Sequence, residues 1–315
     1  MKHHLSLLFL PCLLLSSCVN SSLERRCFCF DTSMDIKLFE GNSDDLDKIE
    51  QIFVRYDKLS DNYKSRDVNS VYKINHTNED VAVDTDLYQL LQTSQAVSSL
   101  GANHFSMLMG SLSKKWKEAL HDNQILSNEV IVSELNKIQN SGVIFKDNSV
   151  VQRFGEAEID LGAIAKGYSL DIIKQYLNSK EYKKYLVNAG YSSILLGEKN
   201  SDDGYFKIGI RNFDNSYLKL KNCFISTSGV SEQSTTIDGV TYSHIINPSS
   251  GSAVSNYDTL IVVSSSGYLG DALSTSLMMT DLNEIQQIET SCSVQVLAIK
   301  DKTIVYKNES LEVFK

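Results

Sequence analysis

From residue 143 onward the sequence alternates short apolar runs, turn signals and amphipathic stretches, and this alternation limits the fold more than any other feature. Apolar runs at 143–145 and 149–154 flank Asp147-Asn148 and predict a hairpin. A helix over 162–177 follows, then strands near 185–187, 193–196, 205–210 and 217–226. Asp238-Gly239, set between Thr236-Ile237 and Val240-Thr241, predicts a tight hairpin because both turn residues tolerate positive φ. An apolar strand over 258–264 leads into a helix over 268–279, and a helix over 283–289 precedes strands at 294–299 and 303–306. The first half reads differently. Leu46, Ile49, Ile52, Phe53, Tyr56 and Leu59 recur at helical spacing, which predicts a helix over 45–59. Further helices fit 86–100, stopped by Gly101, then 103–120 around Trp116, and 128–140. The class is α+β, a single compact domain of mixed sheets and packed helices over residues 30–315.

Composition narrows the function. Of 315 residues, 42% are hydrophobic and 22% charged, enough for a substantial core and too apolar for a disordered chain. Thirty basic against thirty-nine acidic residues give a net charge of -9, which argues against a broad basic face for nucleic acid. No apolar run reaches the roughly 18 residues of a spanning helix.

Residues 1–17 read as a signal peptide: Lys2, His3 and His4, a mostly apolar run from Leu5 to Leu15, then Ser16-Ser17 before Cys18. Leu15-Ser16-Ser17-Cys18 resembles the bacterial lipobox, whose cysteine becomes the lipidated first residue of the mature chain. The alternative is a plain cleaved signal in which Cys18 is incidental. Cleavage removes Lys2 and takes the charge from -9 to -10. Residues 18–29 are then a lipidated tether, and the chain is expected in the cell envelope. Lipid alone would hold it there, at the periplasmic or outer side of the cytoplasmic membrane. Cys223 and Cys292 sit in apolar runs and read as small core residues; a Cys27–Cys29 disulfide would close a tiny strained ring. No cysteine spacing suits structural zinc.

Four segments carry chemistry. Asp160-Leu161-Gly162-Ala163-Ile164-Ala165-Lys166-Gly167 opens a predicted helix with a carboxylate, small residues and a lysine. Glycines let backbone approach a ligand, and a helix N-terminus attracts phosphate. The plainer reading is that Asp160 caps the helix and Lys166 is solvated. His244 ends a predicted strand just before Asn247-Pro248-Ser249-Ser250-Gly251, a rigid turn where a proton donor or acceptor fits as well as a structural histidine. Asp271 and Thr275 stand one helical turn apart, an all-oxygen pair that suits magnesium and not zinc, though a dipole-matched carboxylate with a buried threonine fits too. Residues 226–231 read as a hydroxyl-rich loop after a strand.

In order, Asp160 to Tyr168, Val187-Asn188-Ala189-Gly190, Thr227-Ser228-Gly229, Ser243-His244-Ile245-Ile246-Asn247-Pro248 and Asp271-Ala272-Leu273-Ser274-Thr275 resemble the ApbE family of FAD:protein FMN transferases. The resemblance runs from Phe30 to the C-terminus and is strongest from Ile159 to Leu277. It implies a magnesium-dependent reaction, with manganese as the alternative ion, in which FAD is split at its pyrophosphate. FMN passes to a threonine or serine hydroxyl of an acceptor protein, a membrane redox-complex subunit being one candidate, and AMP leaves. By motif, Asp160 and Lys166 contact FAD, and Ile245 lines the nucleotide site. Ala163 offers a backbone carbonyl to the metal beside Asp271 and Thr275, and His244 and Asp271 serve catalysis. In the N-terminal half, Tyr63 and His104-Phe105-Ser106 match FAD-contacting positions, and Phe30-Asp31-Thr32 resembles the opening strand. Two departures stand out. Asn247 replaces an aspartate, and Gly190-Tyr191 replaces a glycine pair. Both are expected to change FAD affinity or tilt transfer toward hydrolysis. The competing readings are an FAD pyrophosphatase and an exported flavin-binding lipoprotein without turnover.

Overall fold

Strands from both halves of the chain meet in one sheet. The computed structural model describes residues 22–98, 100, 104–213, 215–230, 234–254 and 256–315. The N-terminal part runs β1 (Leu23–Cys29), β2 (Thr32–Leu38), α1 (Ser43–Ser60), α2 (Val71–Asn75), β3 (Val81–Ala82), α3 (Thr85–Ser98), α4 (Gly110–His121), α5 (Asn128–Gln139), β4 (Gly142–Lys146) and β5 (Val150–Phe154). It continues through α6 (Ala165–Ser179), β6 (Tyr185–Ala189), β7 (Ser193–Leu196), β8 (Phe206–Gly209), β9 (Tyr217–Leu220), β10 (Cys223–Gly229), β11 (Ser234–Ile237) and β12 (Val240–Ser243). The last elements are β13 (Thr259–Ser264), α7 (Gly267–Ser276), α8 (Leu282–Cys292), β14 (Gln295–Lys300), β15 (Thr303–Lys307) and β16 (Val313–Phe314).

The main sheet has the order β1-β2-β6-β7-β10-β13-β14-β15, and every pairing in it is antiparallel. β13 explains its own composition. All six of its residues are buried, because Leu260 and Val262 pack with α7 and α8 while Ile261 and Val263 pack with β8 and β9 on the opposite face. A strand covered on both faces needs an unbroken apolar run, and the sequence supplies Leu-Ile-Val-Val. Toward the β1–β2 edge, Met34, Ile36 and Leu38 meet α1 and α6. There Asp45 is buried, closes the capping box of α1 with Asn42, and accepts the hydroxyls of Tyr176 (2.6 Å) and Tyr182 (2.9 Å).

Several expectations need correction. The chain does not leave a tether before residue 30: β1 pairs along its whole length with β2, and Arg25 turns inward to Asp47 and Glu50 of α1. Phe30 and Asp31 are the turn of that hairpin, not its strand, with φ of 51° and 55°. The Phe30 N–H donates to Asp57 Oδ1 at 2.8 Å, which clamps a backbone conformation unusual for an aromatic residue. Cys27 and Cys29 are free thiols. The helix expected over 103–120 begins at Gly110, because the preceding backbone pairs elsewhere: Asp160 N–H donates to the Met107 carbonyl, and Gly110 N–H to that of Glu158, each at 2.8 Å. The run 217–226 divides at Asn222 (φ 53°) into β9 and β10, which join different sheets. The hydroxyl-rich 226–229 stretch is strand, not loop. Residues 1–17 and Cys18 lie outside the described residues. Among those described, no helix is long and apolar enough to cross a membrane.

Candidate active site

The edge of the main sheet, the start of α6 and the β11–β12 hairpin surround a cleft of about 990 Å³, a volume in the range of cofactor sites. It gathers every site residue expected from the sequence within the described region: Tyr63, His104, Phe105, Ser106, Asp160, Ala163, Lys166, His244, Ile245, Asp271 and Thr275. Residues separated by two hundred positions thus share one wall-to-wall space.

Asp271 sits at its floor, 7% exposed. Helix α7 carries it into contact with α6, where Gly167 and Gly267 let the two backbones touch. The Gly167 N–H donates to one carboxylate oxygen at 2.6 Å, and the hydroxyls of Ser193 (2.7 Å) and Ser226 (2.6 Å) donate to the other. Burial pushes the Asp271 carboxyl above its ordinary value, while the Lys166 charge, the two serine hydroxyls and the amide pull it down. Three donors fill about three of the four lone-pair positions of a carboxylate. The remaining one and the Thr275 hydroxyl a turn later are hard oxygen donors, and Ala163 lines the same cleft, so the donor chemistry suits Mg²⁺ or Mn²⁺. Thr275 Oγ1 lies 3.4 Å from Ser228 Oγ, which also meets Ser274 Oγ at 3.0 Å.

Asp160 lines the cleft as well. Its Oδ1 accepts the Gly162 N–H at 2.8 Å, and burial pushes its carboxyl up against that hydrogen bond and the charges of Lys114 and Lys117. Those lysines stand 5.0 and 5.2 Å from the ring of Tyr63, and Lys114 also pairs with Glu158 at 2.6 Å. The first turn of α6 lines the cleft through Ala165 and Lys166, but its N–H groups are largely engaged, that of Ala165 with the Leu161 carbonyl (2.9 Å), that of Gly167 with Asp271 and that of Tyr168 with the Ile164 carbonyl (3.0 Å), so what it offers an anion is the Lys166 charge.

His244 is exposed at the end of β12. Its loop is tied to α4 by Trp116, whose Nε1–H donates to the Gly251 carbonyl at 2.8 Å and whose ring stacks on Tyr242. Asn247 lies outside the cleft lining. Its Oδ1 accepts the N–H groups of Ser249 (2.8 Å) and Ser250 (3.2 Å), a turn-closing role an aspartate fills equally well. Ile245 is 4% exposed and packs chiefly in the core with α7 and α8. His104 holds Glu284 through Nε2 at 3.2 Å, and Phe105 is buried beside it. Sequence reading missed Ser193, the part Ser226 plays in holding Asp271, Lys117 and Asn75. Only Ser226 carried a signal, the density of hydroxyls around it.

A family model described as the ApbE family matches residues 30–298. A curated protein of Klebsiella pneumoniae (strain 342), named FAD:protein FMN transferase, is 29% identical over 253 residues, 77% of each chain. The crystal structure of the ApbE protein from Thermotoga maritima superposes with a TM-score of 0.79 at 26% identity, covering 92% of this chain and 98% of that one. The flavin transferase ApbE from Vibrio cholerae superposes with a TM-score of 0.73 at 19% identity, covering 93% and 96%. A cleft assembled by the same ordered segments, on a chain matched across most of its length, places this protein in the ApbE family.

Proposed function

We propose that this chain is an FAD:protein FMN transferase. The observation that carries the reading is the convergence, on one dinucleotide-sized cleft, of a hydrogen-bonded buried carboxylate (Asp271), a lysine in the first turn of α6 (Lys166), and an exposed histidine. Splitting a pyrophosphate asks mainly for neutralised charge and in-line positioning. A divalent cation on Asp271, Thr275 and the Ala163 carbonyl would supply that neutralisation. Lys166 would hold the phosphates by its charge, and Asp160 with Tyr63 would orient the rest of FAD. His244, exposed on the cleft lining, would meet the acceptor hydroxyl. It would take the hydroxyl proton as that oxygen bonds to the flavin-side phosphorus, while the bridging P–O bond breaks and its electron pair leaves with AMP. Lipid on Cys18 would place the reaction at a membrane surface of the cell envelope, which mass analysis of the mature N-terminus tests.

The test combines the protein with FAD, Mg²⁺ and a threonine-bearing acceptor domain, following AMP and the acceptor's mass. AMP in step with an FMN mass gain supports the transferase. AMP with free FMN and no mass gain indicates a pyrophosphatase, and bound FAD without AMP a flavin-binding protein.

A further inference from the structure

Asp160 has no helix or sheet of its own to hold it; its run of backbone is gripped from two sides. Met107 and Gly110 bond to residues 160 and 158 along one edge. The other edge is met not by a strand but by one side chain. Asn75, 7% exposed at the end of α2, accepts the Ile159 N–H at 2.8 Å and donates Nδ2–H to the Ile159 carbonyl at 2.9 Å. Asn62 adds a longer bond to that carbonyl at 3.5 Å. A primary amide reproduces the donor-and-acceptor pair of a strand edge, and no other short side chain does so.

Asn75 is itself fastened. The buried Arg153 donates to the carbonyls of Asn75 (3.2 Å), Ile74 (3.4 Å), Gly155 (2.6 Å) and Ala157 (3.1 Å) and to Asn78 Oδ1 (2.9 Å). One guanidinium thus ties the end of α2 to the backbone two residues before Ile159. Placing five donors on acceptors leaves none idle. Asn75 touches neither the cleft nor any residue expected to react.

We infer that Asn75, backed by Arg153, is a positioning residue that sets the heading of Asp160 for FAD through the Ile159 backbone. The inference rests on the proposed contact between Asp160 and FAD. The experiment is a double-mutant cycle on FAD affinity, read by quenching of flavin fluorescence, with unfolding midpoints measured alongside. Asp160→Ala weakens FAD binding. Asn75→Ala in the unaltered chain weakens it roughly ten- to thirtyfold, from two hydrogen bonds lost. In the Asp160→Ala background the same change costs less than about twofold, because nothing remains to be aimed. Asn75→Asp keeps the acceptor and loses the donor. It falls between, and it replaces Asn75→Ala in the cycle should that variant not fold. Equal losses in both backgrounds overturn the inference in favour of a merely structural asparagine, as does unchanged affinity in Asn75→Ala. Unchanged affinity in Asp160→Ala overturns the Asp160 contact instead, and the inference with it.

Discussion

Replacing Gly167 by alanine should be far more damaging than the addition of one methyl group suggests. A Cβ there would lie 2.1 Å from the Gly267 carbonyl oxygen, 2.5 Å from its carbon and 2.8 Å from Asp271 Cγ. Ordinary contact begins near 3.4 Å, so the helices must part by roughly 1.3 Å. Two of the three obstacles are backbone and cannot swing aside. Overpacking of this kind costs about 1–3 kcal/mol. Separation also stretches the 2.6 Å bond from the Gly167 N–H to Asp271, and a hydrogen bond to a charged group is worth about 1.5–3 kcal/mol. Alanine returns about 0.5–1 kcal/mol through its better helix propensity. The net loss is about 2–5 kcal/mol. For a chain of this size that lowers the thermal midpoint by roughly 4–10 °C. Calorimetry or urea unfolding measures it, with Gly209→Ala as control, since nothing lies within 4 Å of a Cβ there. FAD affinity should fall together with stability in the Gly167 variant, because the floor of the cleft moves. A Gly167→Ala protein that unfolds within about 0.5 kcal/mol of the control would refute the claim that this helix contact is closed.

Three further outcomes follow from the same structure. Mg²⁺ at a hundredfold excess over its dissociation constant should stabilise the protein by about 2.7 kcal/mol, and Asp271→Asn should abolish that gain while folding normally, because its amide can turn so that oxygen still meets the Gly167 N–H; a midpoint in the variant that still rises with Mg²⁺ would contradict the ligand assignment. At Asp45, burial pushes the carboxyl up, but the Tyr176 hydroxyl, the Asn42 N–H, the Tyr182 hydroxyl and the Lys180 charge together bring it below its ordinary 3.8. A depressed carboxyl contributes stability above pH 3.8 that is lost as pH falls toward its folded value, so the stability gap between the native protein and Asp45→Asn should narrow in that acid range, as urea titrations at stepped pH will register. Asn247→Asp should leave stability within about 0.5 kcal/mol and FAD affinity unchanged, since either side chain accepts from Ser249 and Ser250; a clear gain in affinity would restore the expectation that this departure tunes the site.

Local periodicity made α1, α5 and the β11–β12 hairpin legible, because their signals lie within one or two turns of chain. β1 was hidden by Glu24, Arg25 and Arg26; its inward arginine is neutralised only by Asp47 and Glu50, which the sequence does not show as neighbours. The start of α4 failed for a similar reason, since residues 107–110 find their partners at 158–160. At the site, motif residues carried their chemical type openly, but their supports did not. Gly167 bonds to Asp271 across 104 positions, Ser193 across 78, and Asn75 to Ile159 across 84. Such contacts are a product of the antiparallel sheet order and leave no mark in spacing.

On the proposed lipidation of Cys18, the β1 strand would also set a leash. With pairing established from Leu23, a lipid on Cys18 would have at most about 17 Å of chain before the sheet begins, where a tether ending at residue 30 would allow roughly 40 Å. β1 itself then rises about 20 Å and delivers Phe28 and Cys29 to the lip of the cleft. Held so short, the domain could neither roam nor reach far into the surrounding fluid. Its catch would be restricted to hydroxyls presented within a few nanometres of the bilayer, so that altitude above the lipid, as much as local sequence, would select which proteins receive flavin. Inserting a flexible spacer ahead of Leu23 is the direct way to widen that shell.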